Sequence, residues 1–270
     1  MAEINLSLIV FTLLIGLCTG TFIFYGLWQF SGIPSEETSP KSSHRVMLLL
    51  LIFLGVALLA SATHLGKTFR FLNAFRNPGS MIAQEGIWSI ALGVILLIAF
   101  FLTFKGQKVP KVLYAVGGLV SCGLLLVCSL VYVRALGFPA WSNGVTIVYY
   151  FGSAALLGVA VVYALSVQHA EKAAGKMMAS VALTAVFVQI VVTLAFALHL
   201  QFGVMYVNLP STVVLDILRW GIGLLAPAII AYLAWLGKIK GKSAAWSFLT
   251  CVIVGEVFSR LIFFMQGVHL

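Results

Sequence analysis

Charged residues are scarce in this chain: they make up 9% of its 270 residues, against about a quarter of a soluble domain. So few charges cannot cover a water-exposed surface, which excludes a secreted domain, a cytosolic enzyme and a disordered chain. The chain is instead 62% hydrophobic, with a mean hydropathy of +1.12. Apolar runs of about twenty residues are typical of helices that cross a membrane.

Three further absences narrow the function classes. The first apolar run has no positive residues before it and no small-residue cleavage site, so it is predicted to be a span and not a signal peptide. The net charge of +9 is spread over short loops and forms no basic stripe, which excludes nucleic acid as a partner. The cysteines form no CxxC pair and lie inside apolar runs, which favours core residues over cluster ligands: Cys18, Cys122, Cys128 and Cys251.

The apolar runs predict an all-α fold, a polytopic integral membrane bundle of eight transmembrane helices in one domain, residues 1–270. Each run is long enough to cross about 30 Å of hydrocarbon at about 1.5 Å per residue. The predicted spans are 5–28, 46–63, 86–104, 112–133, 145–167, 178–200, 213–236 and 245–266. Aromatic residues near span ends predict interfacial belts: Trp28, Trp141, Tyr149, Tyr150, Trp220 and Trp246.

Lysine and arginine are distributed unequally between the two sides of the predicted bundle. Ten follow odd-numbered spans: Lys41, Arg45, Lys105, Lys108, Lys111, Lys172, Lys176, Lys238, Lys240 and Lys242. The opposite loops hold Lys67, Arg70, Arg76 and Arg134. Because positively charged loops remain in the cytoplasm, both termini and the 64–85 loop are predicted to face outward.

Ionisable residues near the membrane core fall in its predicted outer half: His64, Glu85, His199, Asp216, Arg219, Glu256 and Arg260. Such residues are costly in hydrocarbon and mark functional sites. Their asymmetry predicts a polar pocket that opens outward, bounded by spans two, three, seven and eight. A structural alternative stays open, since Glu256–Arg260 and Asp216–Arg219 have the spacing of paired charges on one helix.

The loop between spans two and three is framed by His64 and Glu85, two groups able to accept protons. It also carries Lys67, Arg70 and Arg76 on the side that is otherwise poor in positive charge. A partner protein or an anionic ligand accounts physically for such a concentration of charge.

This loop resembles a family signature through His64-Leu65-Gly66, Arg70, Asn73-Ala74, Asn77, Ser80 and Glu85. The family is that of the dimethyl sulfoxide (DMSO) reductase anchor subunits, DmsC type. The tail, with Gly255-Glu256, Arg260 and Phe263-Phe264, resembles the family's last helix. Chain length, span number and outward termini agree with the family over the whole chain.

The resemblance implies an anchor subunit without haem or metal in the bacterial inner membrane, which binds and oxidises menaquinol or another quinol at the periplasmic face. Electrons would pass to a partner iron–sulfur subunit and on to a molybdopterin catalytic subunit. The clusters and the molybdopterin belong to those partners, so this chain has no terminal reductase chemistry. The family associates His64 and Glu85 with quinol oxidation. The charged residues of this chain that lie on the same side are predicted to belong to the quinol site as well: Lys67, Arg70, Arg76, Glu256 and Arg260.

Three alternatives remain open at this stage. A polysulfide-reductase-type membrane subunit also has eight spans and couples to quinone. A haem-bearing cytochrome b needs paired histidines within the spans, whereas His64 and His199 lie at span ends. A small-solute transporter needs a site near the membrane midplane at a broken helix, for which Pro227 in span seven is a candidate.

Overall fold

The computed structural model describes residues 6–31, 40–64, 76–166, 172–205, 207–239 and 241–269. Over these ranges the protein has helices and turns and no strand. Eight helical segments are long and apolar enough to cross a membrane, which confirms the predicted fold class. They are α1 (Leu6–Phe30), α2 (Pro40–His64), α3 (Met81–Phe104), α4 (Lys111–Val133), α5 (Val145–Ser166), α6 (Lys172–Leu198), α7 (Val213–Trp235) and α8 (Lys242–Met265).

Several helices begin earlier than the apolar runs predict, α2, α3 and α6 by five or six residues. Helix α2 begins at Pro40, and proline suits a first turn because its missing N–H has no helical partner there. Helix α3 begins at Met81 because Ser80 caps it: the Ser80 Oγ accepts a hydrogen bond of 3.1 Å from the Ala83 N–H. Glu85 therefore lies inside the second turn of α3, not before the helix as the sequence predicts.

The helices form two groups of four. Helices α1 to α4 pack in sequence and α4 closes back on α1, and helices α5 to α8 close on each other in the same way. We call these groups the N-terminal bundle (α1–α4) and the C-terminal bundle (α5–α8). They meet where α1 packs against α5 and α8, and where α4 packs against α5.

Two glycines bring α1 and α5 into close contact. A Cβ atom on Gly20 would overlap the backbone of Ala154, and one on Gly158 would overlap the backbone of Gly20. Small residues of this kind let membrane helices approach at backbone distance. The boundary between the bundles therefore depends on these two positions.

Helix α7 changes form along its length. Its first turns are α-helical, a wider π-helical segment follows over Arg219–Leu225, and an α-helix resumes at Ala226–Trp235. Pro227 cannot donate to the carbonyl of Gly223, so the wider turns fall where the α-helical ladder loses a bond. At the same point Gly223 lies against Gly255 of α8 at backbone distance.

The prediction of aromatic belts is wrong for three residues. Trp28, Tyr149 and Tyr150 are buried in the bundle interior, with exposed fractions of 4%, 0% and 1%. The two tyrosines pack around buried arginines, an arrangement that apolar periodicity does not reveal.

Candidate functional site at one end of the bundle

One end of the bundle holds the ionisable residues that were predicted near the membrane core. We call it the terminal face, because α1 begins there and α8 ends there; α2, α4 and α6 also end there, and α3, α5 and α7 begin there. Its connections contact each other: a hydrogen bond of 2.7 Å joins Asn143 Nδ2 to His199 Nε2, and Gln266 Nε2 donates to Thr212 Oγ1 at 3.0 Å. At about 1.5 Å per residue, the charged side chains start between about 4 and 14 Å inside the helix ends.

Glu85 lies at the boundary between the two bundles. Its carboxyl lies close to the thiol of Cys128 on α4 and near the phenols of Tyr132 and Tyr150. The rings of these two tyrosines stack with centroids 5.6 Å apart, which joins α4 to α5. Glu85 is thus the ionisable group that α3 contributes to a cluster shared by both bundles.

Arg260 is fully buried on α8 among aromatic rings. Its guanidinium carbon lies 4.4 Å from the ring centroid of Tyr150 and 5.6 Å from that of Tyr149, distances at which cation–π attraction operates. Nη2 donates a hydrogen bond of 2.9 Å to Ser153 Oγ. Nε and Nη1 have no hydrogen-bond partner among the described residues. The faces of the two tyrosine rings therefore replace much of the hydration that the guanidinium has in water.

Glu256 lies one turn deeper on α8, and both of its carboxylate oxygens accept hydrogen bonds. Oε2 accepts from Ser153 Oγ, and Oε1 accepts from Gln189 Nε2 at 3.1 Å. Since Ser153 Oγ also accepts from Arg260, one hydroxyl connects the two charges. The sequence predicts a pair between Glu256 and Arg260 on one helix. In the structure the two charges belong to a network that also includes Ser153 of α5 and Gln189 of α6.

Asp216 and Arg219 bond to different threonines. Asp216 Oδ2 accepts from Thr212 Oγ1 at 2.8 Å, within the first turn of α7. Arg219 Nη2 donates to Thr193 Oγ1 of α6 at 2.8 Å, and its guanidinium carbon lies 5.3 Å from the ring centroid of Tyr149. Both charged residues line a cavity of about 350 Å³ between α6, α7 and α8.

The predicted loop residues are only partly within the described structure. His64 is the last residue of α2, at the terminal face. Arg76 is exposed just before α3. Lys67 and Arg70 lie outside the described residues. His199, by contrast, is held by Asn143 and is accounted for as a structural residue of the terminal face.

The sequence prediction does not include the polar residues of α5 and α6, namely Ser153, Gln189 and Thr193. Each is buried, with an exposed fraction of 2% or less. It also missed Cys128, Tyr132 and Tyr150 as neighbours of Glu85. Serine and threonine are ordinary in a span, because their hydroxyls can bond to their own helix, so nothing in the sequence distinguished Ser153 and Thr193. Gln189 is an amide in the middle of span six, and that is a signal by which it could have been found. The predicted walls, spans two, three, seven and eight, were incomplete, because α4, α5 and α6 hold the polar groups as well.

No group of three or more histidine, cysteine, aspartate or glutamate side chains able to hold a metal occurs in the described part of the chain. The four cysteines are free, and Cys18 and Cys128 are buried. The terminal face therefore offers acid–base and hydrogen-bonding groups: a carboxyl with a thiol and two phenols, a hydroxyl-bridged Glu256–Arg260 network, and a polar cavity.

Comparison with known proteins agrees with these features. The family model for the DMSO reductase anchor subunit (DmsC) matches residues 1–265. The chain belongs to the DmsC family. Among curated relatives, the C subunit of the anaerobic dimethyl sulfoxide reductase of Haemophilus influenzae is 26% identical over 175 residues, which make up 62% of this chain and 61% of that relative. The chain thus aligns with less than two thirds of that relative's length.

Membership of the DmsC family accounts for the eight apolar helices. The chain is a multi-pass protein of the bacterial inner membrane. The family match includes Glu85, Glu256 and Arg260, so the polar network lies within the region that defines a DmsC anchor.

Proposed function

We propose that this chain is the membrane anchor of a molybdopterin and iron–sulfur oxidoreductase, and that it binds and oxidises quinol near its terminal face. The observation that carries the proposal is the position of Glu85. Its carboxyl lies inside α3 among Cys128, Tyr132 and Tyr150, at the face where α2 ends at His64. The DmsC family match supports the anchor role.

Oxidation of a quinol releases two protons and two electrons, so the site needs groups that accept protons. In the proposal the imidazole of His64 accepts the proton of one quinol hydroxyl, since an unperturbed histidine titrates near neutral pH. The Glu85 carboxylate accepts the second proton and releases it to water at the terminal face. Both electrons pass to an iron–sulfur cluster in a partner subunit, and quinone leaves.

Glu256 and Arg260 complete the proposed site from behind Glu85. The guanidinium of Arg260 lies over the ring of Tyr150, which is also a neighbour of Glu85. Glu256 holds Arg260 through Ser153, so both residues act by positioning and by charge.

The partner subunits are proposed to dock at the terminal face. Arg76 is exposed there, and Lys67 and Arg70 precede it in the same connection. These positive charges suit an acidic surface on the iron–sulfur subunit, which in turn carries the molybdopterin subunit. The opposite side holds most of the remaining lysines, so the positive-inside rule makes the terminal face periplasmic.

The test is binding of a fluorescent quinol analogue to membranes that contain the intact complex, together with quinol-dependent turnover. We expect His64→Ala to remove saturable binding and Glu85→Gln to reduce turnover at least about a hundredfold, the range for loss of a general base. Arg134→Gln is the matched control, because Arg134 is exposed at the same face and remote in sequence from the 64–85 loop.

Unchanged turnover in both variants would refute the assigned roles. Loss of assembly in both, with turnover of the residual complex unchanged, would make the two residues structural. An absorption band of haem in the purified chain would support the cytochrome alternative instead.

A further inference from the structure

The cavity at the terminal face between α6, α7 and α8 is separate from the Glu85 cluster. Its volume is about 350 Å³. Thr193, Thr212 and Gln201 contribute polar atoms, while Phe196, Trp220 and Ile262 contribute apolar walls. The proposed quinol oxidation uses none of these residues.

Arg219 is the buried cation of this cavity, with an exposed fraction of 3%. Its one hydrogen bond to a described residue runs from Nη2 to Thr193 Oγ1. A guanidinium has five N–H donors, so this bond leaves others from which a ligand in the cavity can accept. Asp216 is the anion of the same cavity, and Thr212 occupies only its Oδ2.

The two charges select the ligand chemistry. A ligand with a single negative charge meets Asp216 unfavourably, and one with a single positive charge meets Arg219 unfavourably. A zwitterion with a phosphate and an ammonium satisfies both, and arginine binds phosphate oxygens with paired hydrogen bonds.

The depths of the two charges give the ligand an orientation. Asp216 lies about 4.5 Å and Arg219 about 9 Å from the start of α7, at about 1.5 Å per residue. In a phospholipid of the terminal-face leaflet, the ammonium lies outermost, the phosphate deeper and the acyl chains deepest. Below the cavity, the helices expose apolar side chains on which acyl chains can lie, such as Val191 and Leu225.

We propose that this cavity binds the headgroup of a zwitterionic phospholipid with a primary ammonium, of the phosphatidylethanolamine type. The phosphate binds the guanidinium of Arg219 and the hydroxyl of Thr193. The ammonium donates to the carboxylate of Asp216. Pockets between membrane helices commonly take lipid headgroups through basic residues, and here a carboxylate adds selection for the ammonium.

The experiment is native mass spectrometry of the full chain in detergent, titrated separately with dioleoyl phosphatidylethanolamine and dioleoyl phosphatidylglycerol. We expect wild type to bind phosphatidylethanolamine more tightly. Arg219→Gln should weaken that binding about tenfold or more, because it removes charged hydrogen bonds. Asp216→Asn should abolish the preference and allow phosphatidylglycerol to bind equally well.

Arg134→Gln is the control, since it removes an exposed arginine of the same face outside the cavity. Equal binding of both lipids by wild type overturns the proposal, as does an Arg219→Gln variant that behaves like Arg134→Gln. If Arg219→Gln does not fold, the change of preference in Asp216→Asn decides. Glycerophosphoethanolamine, which lacks acyl chains, should compete weakly; binding as tight as that of the lipid would assign a soluble ligand and overturn the lipid assignment.

Discussion

Each bundle has four helices, but the two interiors differ in the kind of polar side chain that they bury. Among the described residues, the buried polar side chains of the N-terminal bundle are hydroxyls, such as Thr19 and Ser129. The C-terminal bundle buries Arg219, Glu256 and Arg260, with exposed fractions of 3%, 3% and 0%. The N-terminal bundle contributes its carboxyl, Glu85, at the boundary between the two.

The difference lies in which groups satisfy the polar side chain. Thr19 Oγ1 donates to Ile15 O at 2.6 Å, and Ser129 Oγ donates to Leu126 O at 2.8 Å, both within their own helix. The buried charges Arg219, Glu256 and Arg260 bond across helices, through Ser153 above all. Bonds between helices in the N-terminal bundle join neutral groups, such as Tyr25 and Ser43 at 2.9 Å. Own-helix bonds place no condition on neighbouring helices, whereas bonds between helices fix their positions. The C-terminal bundle is therefore expected to be the more sensitive to loss of a single polar side chain.

The largest effect is expected for Glu256→Leu. The change leaves Arg260 buried without a counter-charge, and breaking a buried pair in this way costs about 3–5 kcal/mol. Reversible unfolding of the purified chain by sodium dodecyl sulfate would measure the loss. Glu256→Gln, which keeps the shape and one acceptor, should lose less. A Glu256→Leu variant as stable as wild type would show that the bundles do not differ in this respect.

The next effect concerns the contact between the bundles. Gly20→Ala places a methyl group against the backbone of Ala154, which cannot move without separating α1 from α5. Overpacking of this kind costs about 1–3 kcal/mol, and a clash with backbone is expected at the upper end of that range. The same unfolding titration measures it. Gly118→Ala is the matched control, because a Cβ there meets nothing within 4 Å. Equal stability of the two variants would contradict the close approach.

The smallest effect compares two buried serines. Ser153→Ala leaves oxygen and nitrogen atoms of Glu256 and Arg260 unsatisfied and should cost about 1–3 kcal/mol. Ser129→Ala leaves only a helical carbonyl without its second bond and should cost less than about 1 kcal/mol. Both side chains are fully buried, so the same unfolding measurement isolates the bonding. A greater loss for Ser129→Ala would reverse the comparison.

Hydropathy and charge predicted much of the fold but less of the site. The eight spans follow from the eight apolar runs, because a segment that crosses the hydrocarbon has to be an apolar helix over its whole length. The start of α3 was missed by five residues, because the Ser80 cap and not hydrophobicity sets it. The set of charged residues near one face was predicted, since each is costly and therefore conspicuous. Their partners Ser153 and Thr193 were not, because serine and threonine are ordinary in a membrane helix. Gln189 was not predicted either, although an amide in the middle of a span is costly.

By itself the sequence determined that this chain is an eight-helix membrane protein of the DmsC type, with its ionisable residues toward one face. Composition and the order of residues are sufficient for that, since transfer from water to lipid acts on each segment separately. Only the tertiary structure decided that Ser153 joins Glu256 to Arg260, that Glu85 lies beside Cys128, and that Arg219 lines a cavity. Those facts depend on which helices are neighbours and how closely they approach, and glycines control that approach, such as Gly255 next to Glu256.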